Sequence, residues 1–203
     1  MRKFAVSERS SVLALLSLGA LTAPTSAAVI ISDLNNVSPD FQYNSFPGNT
    51  SAQATFFRVS TPANQFGGSG FNLASPLNIS TQTTLAVSGQ IGTGNLNVSF
   101  NVLLQDSDGT QLGYSFPMSS FNASGFTSAY VELGSPSFSL SAGSTAGLNL
   151  ASITQFQLQG NFSGSETVLF AFDFDSVAAV PEPTSLALLA TSTVLLRRRR
   201  SHR

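Results

Sequence analysis

The chain contains no cysteine and no tryptophan. Without cysteine, an exported domain must rest on its core or on bound metal rather than on disulfides. Charge is scarce and unevenly placed. Between residues 29 and 179 the only basic side chain is Arg58, set against Asp33, Asp40, Asp106, Asp108, Glu132, Glu166, Asp173 and Asp175. A single cation cannot neutralise a phosphate backbone, which excludes nucleic acid as a partner. The same span has no histidine and no lysine. That removes the Ser-His-Asp and Cys-His pairs of nucleophilic catalysis and leaves no imidazole or thiolate for zinc. Paired carboxylates for glycosidic hydrolysis remain conceivable among Asp106, Asp108, Glu132 and Glu166, but acids on the surface of a sheet are ordinary. The expectation is a protein that is not an enzyme.

What the chain does have is phenylalanine. It carries 17, and all but Phe4 lie between residues 29 and 179. Rings in that number supply the burial that disordered, Ser/Asn/Gly-rich chains lack. The apolar pattern has period two. Leu96, Val98, Phe100, Val102 and Leu104 alternate with polar residues, and Leu112, Tyr114 and Phe116 alternate again after Asp106-Ser107-Asp108-Gly109. This predicts a hairpin with an Asp-Gly turn. Ala129, Val131 and Leu133, then Phe156 and Leu158, then Val168 to Phe174, continue the pattern, with earlier strands at 54–59 and 77–87. Residues 35–50 and 61–76 are rich in Asn, Pro, Ser and Gly and read as loops, and 148–153 as a helical turn. Short strands between turn clusters predict an all-β antiparallel sandwich over residues 29–179.

Both ends depart from this pattern. Arg2, Lys3 and Arg9 precede an apolar run from Val12 to Leu21, and Thr25-Ser26-Ala27-Ala28 offers small residues for cleavage after Ala27 or Ala28. Residues 1–28 therefore read as a secretory signal peptide, a substrate of signal peptidase. At the other end stand Val180-Pro181-Glu182-Pro183, an apolar run from Thr184 to Leu196, and Arg197-Arg198-Arg199-Arg200. As a short helix at ~1.5 Å per residue the run covers about 20 Å, against a hydrocarbon core of roughly 30 Å. The arginines extend its reach by snorkelling and fit the cytoplasmic side.

Motif, apolar stretch and basic cluster, in that order over residues 180–203, resemble the PEP-CTERM sorting signal of bacteria that make extracellular polysaccharide. The segment here is shorter and more polar than usual for that family, with Thr191, Ser192 and Thr193 in it. The resemblance implies recognition by an exosortase, a membrane transpeptidase that processes its substrate near the motif. It also implies an exported protein, tethered at the envelope at least transiently and then placed at the cell surface or outside it.

The stretch from Leu85 to Val177 resembles jelly-roll modules of the galactose-binding-like and carbohydrate-binding type. The residues that carry the likeness are Asn97 to Tyr114, Leu150 to Gly160 and Phe172-Asp173-Phe174-Asp175-Ser176-Val177, with Val29 to Leu34 as the opening strand. Similar jelly rolls hold a calcium ion between first and last strands, and Asp33 and Asp175 match those positions. Asp173 and Asp175 are at i, i+2 and so share a strand face. Asp106-Ser107-Asp108-Gly109 looks like the start of a calcium loop but lacks the downstream bidentate Glu, so a turn is the better reading. Tyr130 alternates with Val131 and Leu133 and is expected on the wet face, where it could stack on a sugar. Three functions follow in order: an extracellular-matrix or exopolysaccharide-associated protein; a carbohydrate-binding module with structural calcium; and, disfavoured, a glycan-active enzyme.

Overall fold

The computed structural model describes residues 27–43, 51–62, 66–93, 99–144, 147–161 and 169–182. Residues 1–26 of the expected signal peptide, Pro183, the apolar run and short helix expected over 184–196, and Arg197–Arg200 lie outside them. Among the described residues no helix is long and apolar enough to cross a membrane. The elements are β1 (Val29–Ser32), β2 (Phe41–Tyr43), β3 (Ser51–Ala52), β4 (Phe57–Pro62), β5 (Phe66–Leu77), β6 (Thr84–Thr93), β7 (Ser99–Asp106), β8 (Gln111–Pro117), a 3-10 turn (Met118–Ser120), β9 (Thr127–Glu132), β10 (Phe138–Ser141), β11 (Ile153–Asn161) and β12 (Leu169–Val180).

These strands form two antiparallel sheets of six. The first runs β3-β4-β12-β6-β9, with β1 also bonded to β12; the second runs β10-β8-β7-β11-β5-β2. β12 spans the first sheet's centre. Its first half pairs with β4 and its second half with β1, while β6 lies along its other side.

The alternation seen in sequence is what packs the sheets together. Phe100, Val102 and Leu104 of β7, Tyr114 and Phe116 of β8, and Phe156 and Leu158 of β11 are buried on one side; Phe57, Leu85, Val87, Phe172, Phe174 and Val177 meet them from the other. Phe100 joins the layers directly, with its ring 4.9 Å from that of Phe172 and 4.8 Å from that of Phe174. Phe57 meets Phe71 edge-on across the same gap at 5.3 Å. Each such ring contributes roughly 1.5–3 kcal/mol by leaving water.

Two features depart from the sequence reading. Residues 61–76 are not a loop: β5 runs through most of them. Glycine and serine hid it, because a strand with few side chains shows no alternation. Likewise Phe41–Tyr43 and Phe138–Ser141 form strands in stretches without periodic signal. Residues 148–153 make a turn leading into β11 rather than a helix. The second departure is a bulge in β12. Phe174 pairs with Gly89 but Ser176 pairs with Ser88, so Asp175 is the extra residue. The bulge shifts the phase by one, which lets Phe172, Phe174, Val177 and Ala179 all face the core.

Candidate functional site

Strand register assembles the solvent side of the second sheet into three rows. One crosses Gln111, Gln105, Gln155 and Asn72; the next Phe138, Gly113, Leu103, Gln157, Gly70 and Phe41; the third Ser115, Asn101, Gln159, Gly68 and Tyr43. Each row has at least one amide in its interior, Phe138 and Phe41 end the second row and Tyr43 one end of the third, and no row contains a charged residue.

The rings occupy the ends because glycine lets them lie down. A Cβ built on Gly70 would strike the Phe41 ring, one on Gly68 the Tyr43 ring, and one on Gly113 the Phe138 ring. Each ring therefore leans inward over a bare backbone instead of standing at the sheet edge. Phe41 and Tyr43 are stacked neighbours, 6.5 Å apart at 23°. Between the flanks the floor is recessed. Gln157, Gln159 and Asn101 are only 6%, 4% and 8% exposed, and Leu103 beneath them is 1% exposed. Along β11 the floor from Gln155 to Gln159 measures roughly 13 Å at ~3.3 Å per residue.

Buried amides must find partners, and these find one another. Ser115 Oγ donates to Asn101 Oδ1 at 2.6 Å, Asn101 Nδ2 to Gln159 Oε1 at 3.3 Å, and Gln159 Nε2 to Tyr43 Oη at 3.0 Å. Tyr43 Oη donates onward to Gln157 Oε1 at 3.2 Å, Gln157 Nε2 to Gln155 Oε1 at 2.8 Å, and Gln155 Nε2 to Asn72 Oδ1 at 2.8 Å. Gln111 Nε2 adds a bond to Gln105 Oε1. An amide carries two N–H donors and two lone pairs, so Asn101, Gln155, Gln157 and Gln159 each have an N–H and a lone pair beyond the bonds of this chain. Burial raises the Tyr43 pKa, with the Gln159 bond pulling the other way, so the hydroxyl stays protonated at neutral pH. A carboxylate enters only at the border, where Asp40 Oδ2 accepts from the Asn72 backbone N–H at 2.6 Å.

The residues singled out from sequence lie elsewhere. Tyr130 is 59% exposed, as expected, but on the solvent side of the first sheet. It stands in a row with Ala86, Ala178 and Ile30 and lines a groove of about 640 Å³ shared with Gln82, Thr84, Glu132 and Glu182. Asp33 follows β1, and its Oδ1 accepts from the Asn35 N–H at 3.3 Å. Ser32 pairs with Val177, so Asp33 comes level with the bulge that carries Asp175. Among the described residues no three His, Cys, Asp or Glu side chains converge on one point. Asp173 and Asp175 do not form a matched pair, because the bulge separates them. Asp173 is 5% exposed and bound at both oxygens by Arg58, 2.6 and 2.7 Å away. Asp106 and Asp108 serve the turn. Asp106 accepts backbone N–H groups from Asp108, Thr110 and Asn149, and Gly109 takes φ +91°. Val180 ends β12, Pro181 is half-buried and Glu182 exposed; Ala27 and Ala28 are exposed just before β1.

The amide floor escaped sequence reading although its signal was present. Gln155, Gln157 and Gln159 alternate with Phe156 and Leu158, a wet face made only of amides where a surface strand ordinarily mixes in charge.

No protein-family model matches the sequence, and no curated protein sequence matches it. Solved structures do. A family 11 carbohydrate-binding module from Clostridium thermocellum, in complex with a β-1,3-1,4-mixed-linked tetrasaccharide, superposes with a TM-score of 0.53 at 13% identity, over 77% of this chain and 98% of that one. A solution structure of CtCBM11 gives 0.54 at 13% identity over 79% and 99%. The agarase AgWH50C gives 0.53 at 11% identity over 78% of this chain, which spans only 25% of the agarase. The chain shares their fold. The nearly all-β antiparallel sandwich is thus a jelly roll like that of its neighbours, and those it matches along their whole length are binding modules rather than catalytic domains.

Proposed function

We propose that the protein is a non-catalytic carbohydrate-binding module that grips a polysaccharide on the solvent side of its second sheet. The observation that carries this reading is the recessed, uncharged amide floor between the rings of Phe41, Tyr43 and Phe138. Sugars present C–H faces that stack on rings and hydroxyls that bond to amides, and the floor offers both. The shared fold with modules that bind oligosaccharide supports the same reading. A catalytic role has no carboxylate pair to stand on within the three rows. Binding to a panel of soluble and insoluble polysaccharides, by pull-down and affinity electrophoresis, tests it. Retention on at least one is expected; a clean negative across the panel, host exopolysaccharide included, would overturn it.

We further propose that residues 180–203 act as a sorting signal and give this binding a place. In our reading, signal peptidase cuts after Ala27 or Ala28, and an exosortase-type transpeptidase acts near Val180-Pro181-Glu182-Pro183 with Arg197–Arg200 as the basic stop. The domain is then an envelope, surface or extracellular-matrix component associated with polysaccharide. Intact mass of the protein from its native host tests this: a mature chain still ending in Arg203 would sink the processing step. A structural calcium ion at Asp33 and Asp175 completes the proposal, with its remaining oxygens drawn from backbone carbonyls and water.

A further inference from the structure

The hydrogen bonds of the amide floor all run in one sense. Starting from Ser115, every acceptor residue is also the next donor, through Asn101, Gln159, Tyr43, Gln157 and Gln155, ending at Asn72. Chains of this kind polarise their members and fix which atom of each amide faces its neighbour. Tyr43 holds the middle position. It is the only link from β2 and the only link that is not an amide or the terminal hydroxyl. Its oxygen takes the Gln159 bond and gives the Gln157 bond, so without it the relay falls into two pieces. Its ring meanwhile covers Gly68 at the flank. One side chain therefore sets both the platform and the polarity of the floor.

We propose that the trough selects uncharged glycan chains and that the Tyr43 hydroxyl is its specificity-determining group. This rests on the carbohydrate-binding reading above and deepens it. A sugar hydroxyl both donates and accepts, and so can meet an amide that offers a spare N–H beside a spare lone pair. A carboxylate or sulfate only accepts: it can take the spare N–H groups, but it leaves the lone pairs unmatched and its charge uncompensated. The three rows hold no cation to compensate, Arg58 being engaged with Asp173 on the other sheet, and Asp40 lies at the Asn72 end. Placing an anion on a recessed floor without a counter-charge is costly.

The test compares agarose, mixed-linkage β-glucan and hydroxyethylcellulose with a carboxymethylated derivative of each, using the full mature domain and its variants. The wild type is expected to bind at least one neutral polymer, and its carboxymethylated form at least tenfold more weakly. Tyr43→Phe keeps the ring on Gly68 and removes only the hydroxyl. It is expected to weaken neutral binding by roughly tenfold, about the worth of one or two hydrogen bonds, and to narrow the neutral-to-charged ratio. Gln159→Met cuts the same link from the other side and should reproduce the loss, and the double variant should be little worse than either alone. Thermal melts confirm that each variant folds; a merely structural role would lower the melting temperature without moving the ratio. Wild-type binding that ignores carboxymethylation, or Tyr43→Phe indistinguishable from wild type in affinity and ratio, overturns this proposal while leaving the carbohydrate reading intact. Failure of the wild type on every neutral polymer overturns this proposal too, and the carbohydrate reading falls with it only when the wider panel, host exopolysaccharide included, is also negative.

Discussion

Arg58 and Asp173 face each other across the β4–β12 pair, with Nε to Oδ1 at 2.6 Å and Nη2 to Oδ2 at 2.7 Å. The Asp173 side chain is 7% exposed and that of Arg58 43%. The guanidinium also lies 5.3 Å from the Phe56 ring centre. The carboxylate hydrogen bond, and with it the charge of Asp173, raises the Arg58 pKa against burial, so the guanidinium stays charged at any working pH. This is a fork-to-fork contact of the strong kind.

Removing Arg58 strands a carboxylate that water barely reaches. Breaking a buried pair costs about 3–5 kcal/mol, and the half-open arginine discounts that through solvent screening, so Arg58→Ala should cost roughly 2 kcal/mol. Urea denaturation measures it. Arg58→Met paired with Asp173→Leu should recover much of the loss. A single variant within about 0.5 kcal/mol of wild type, the usual range for surface changes, would show that the pair is ornamental.

Asp106 is 1% exposed and gathers the N–H groups of Asp108, Thr110 and Asn149 at 3.1, 3.1 and 2.7 Å. It ties the β7–β8 turn to the segment entering β11. Asp106→Ala leaves the Asp108 and Asn149 N–H groups unmet, while Thr110 N–H keeps Asp108 Oδ1 at 3.0 Å, and should destabilise by about 3 kcal/mol, a large loss for one substitution. Asp108→Ala, on a half-exposed side chain, should cost less. Equal melting temperatures for the two would contradict this division of roles.

Alkaline pH should weaken the fold through Tyr114. Burial pushes its pKa from 10.0 up to about 12, and its hydroxyl donates to the Leu133 carbonyl at 3.0 Å. The folded state thus keeps a proton that the unfolded state gives up. Stability is complete below pH 10 and falls as pH rises towards 12, by roughly 2–3 kcal/mol in all. Tyr43, also raised, acts in the same direction. Denaturation at a series of alkaline pH values should show the slope, and Tyr114→Phe should flatten most of it; an unchanged slope in that variant would assign the effect elsewhere.

Calcium in excess should raise the melting temperature by several degrees, since a ligand at about a hundred times its Kd adds ~2.7 kcal/mol. Chelator should reverse this, and Asp175→Ala should abolish it. A melt indifferent to both calcium and chelator would dismiss the ion from Asp33 and Asp175.

The parts of this fold that could be read in advance are those where one strand's own side chains declare both of its faces. β7, β8, β9, β11 and β12 alternate, and Asp106 to Gly109 announces the turn. β5 could not be read, because Gly68 and Gly70 have no side chain and borrow the rings of Phe41 and Tyr43 from β2, about thirty residues earlier. The candidate face failed for a similar reason. Its rows exist only after six strands have been brought into register, and no local window contains Tyr43 together with Gln157. Tyr130 illustrates the converse. Its exposure was legible from the alternation around it, but which sheet it stands on was not, and it is on the sheet opposite the amide floor.

β12 leads straight into Pro181 and Glu182, and it is bonded on both flanks, to β4 and β1 on one side and β6 on the other. A pull on the C-terminal tail therefore acts along this strand, parallel to the sheet. The ladder on each flank is stressed in shear, so its hydrogen bonds must fail together rather than peel away one at a time. A domain hauled by its tail while gripping a polymer on its far face would yield late and abruptly, a mechanical resilience set by where in the sheet its last strand lies.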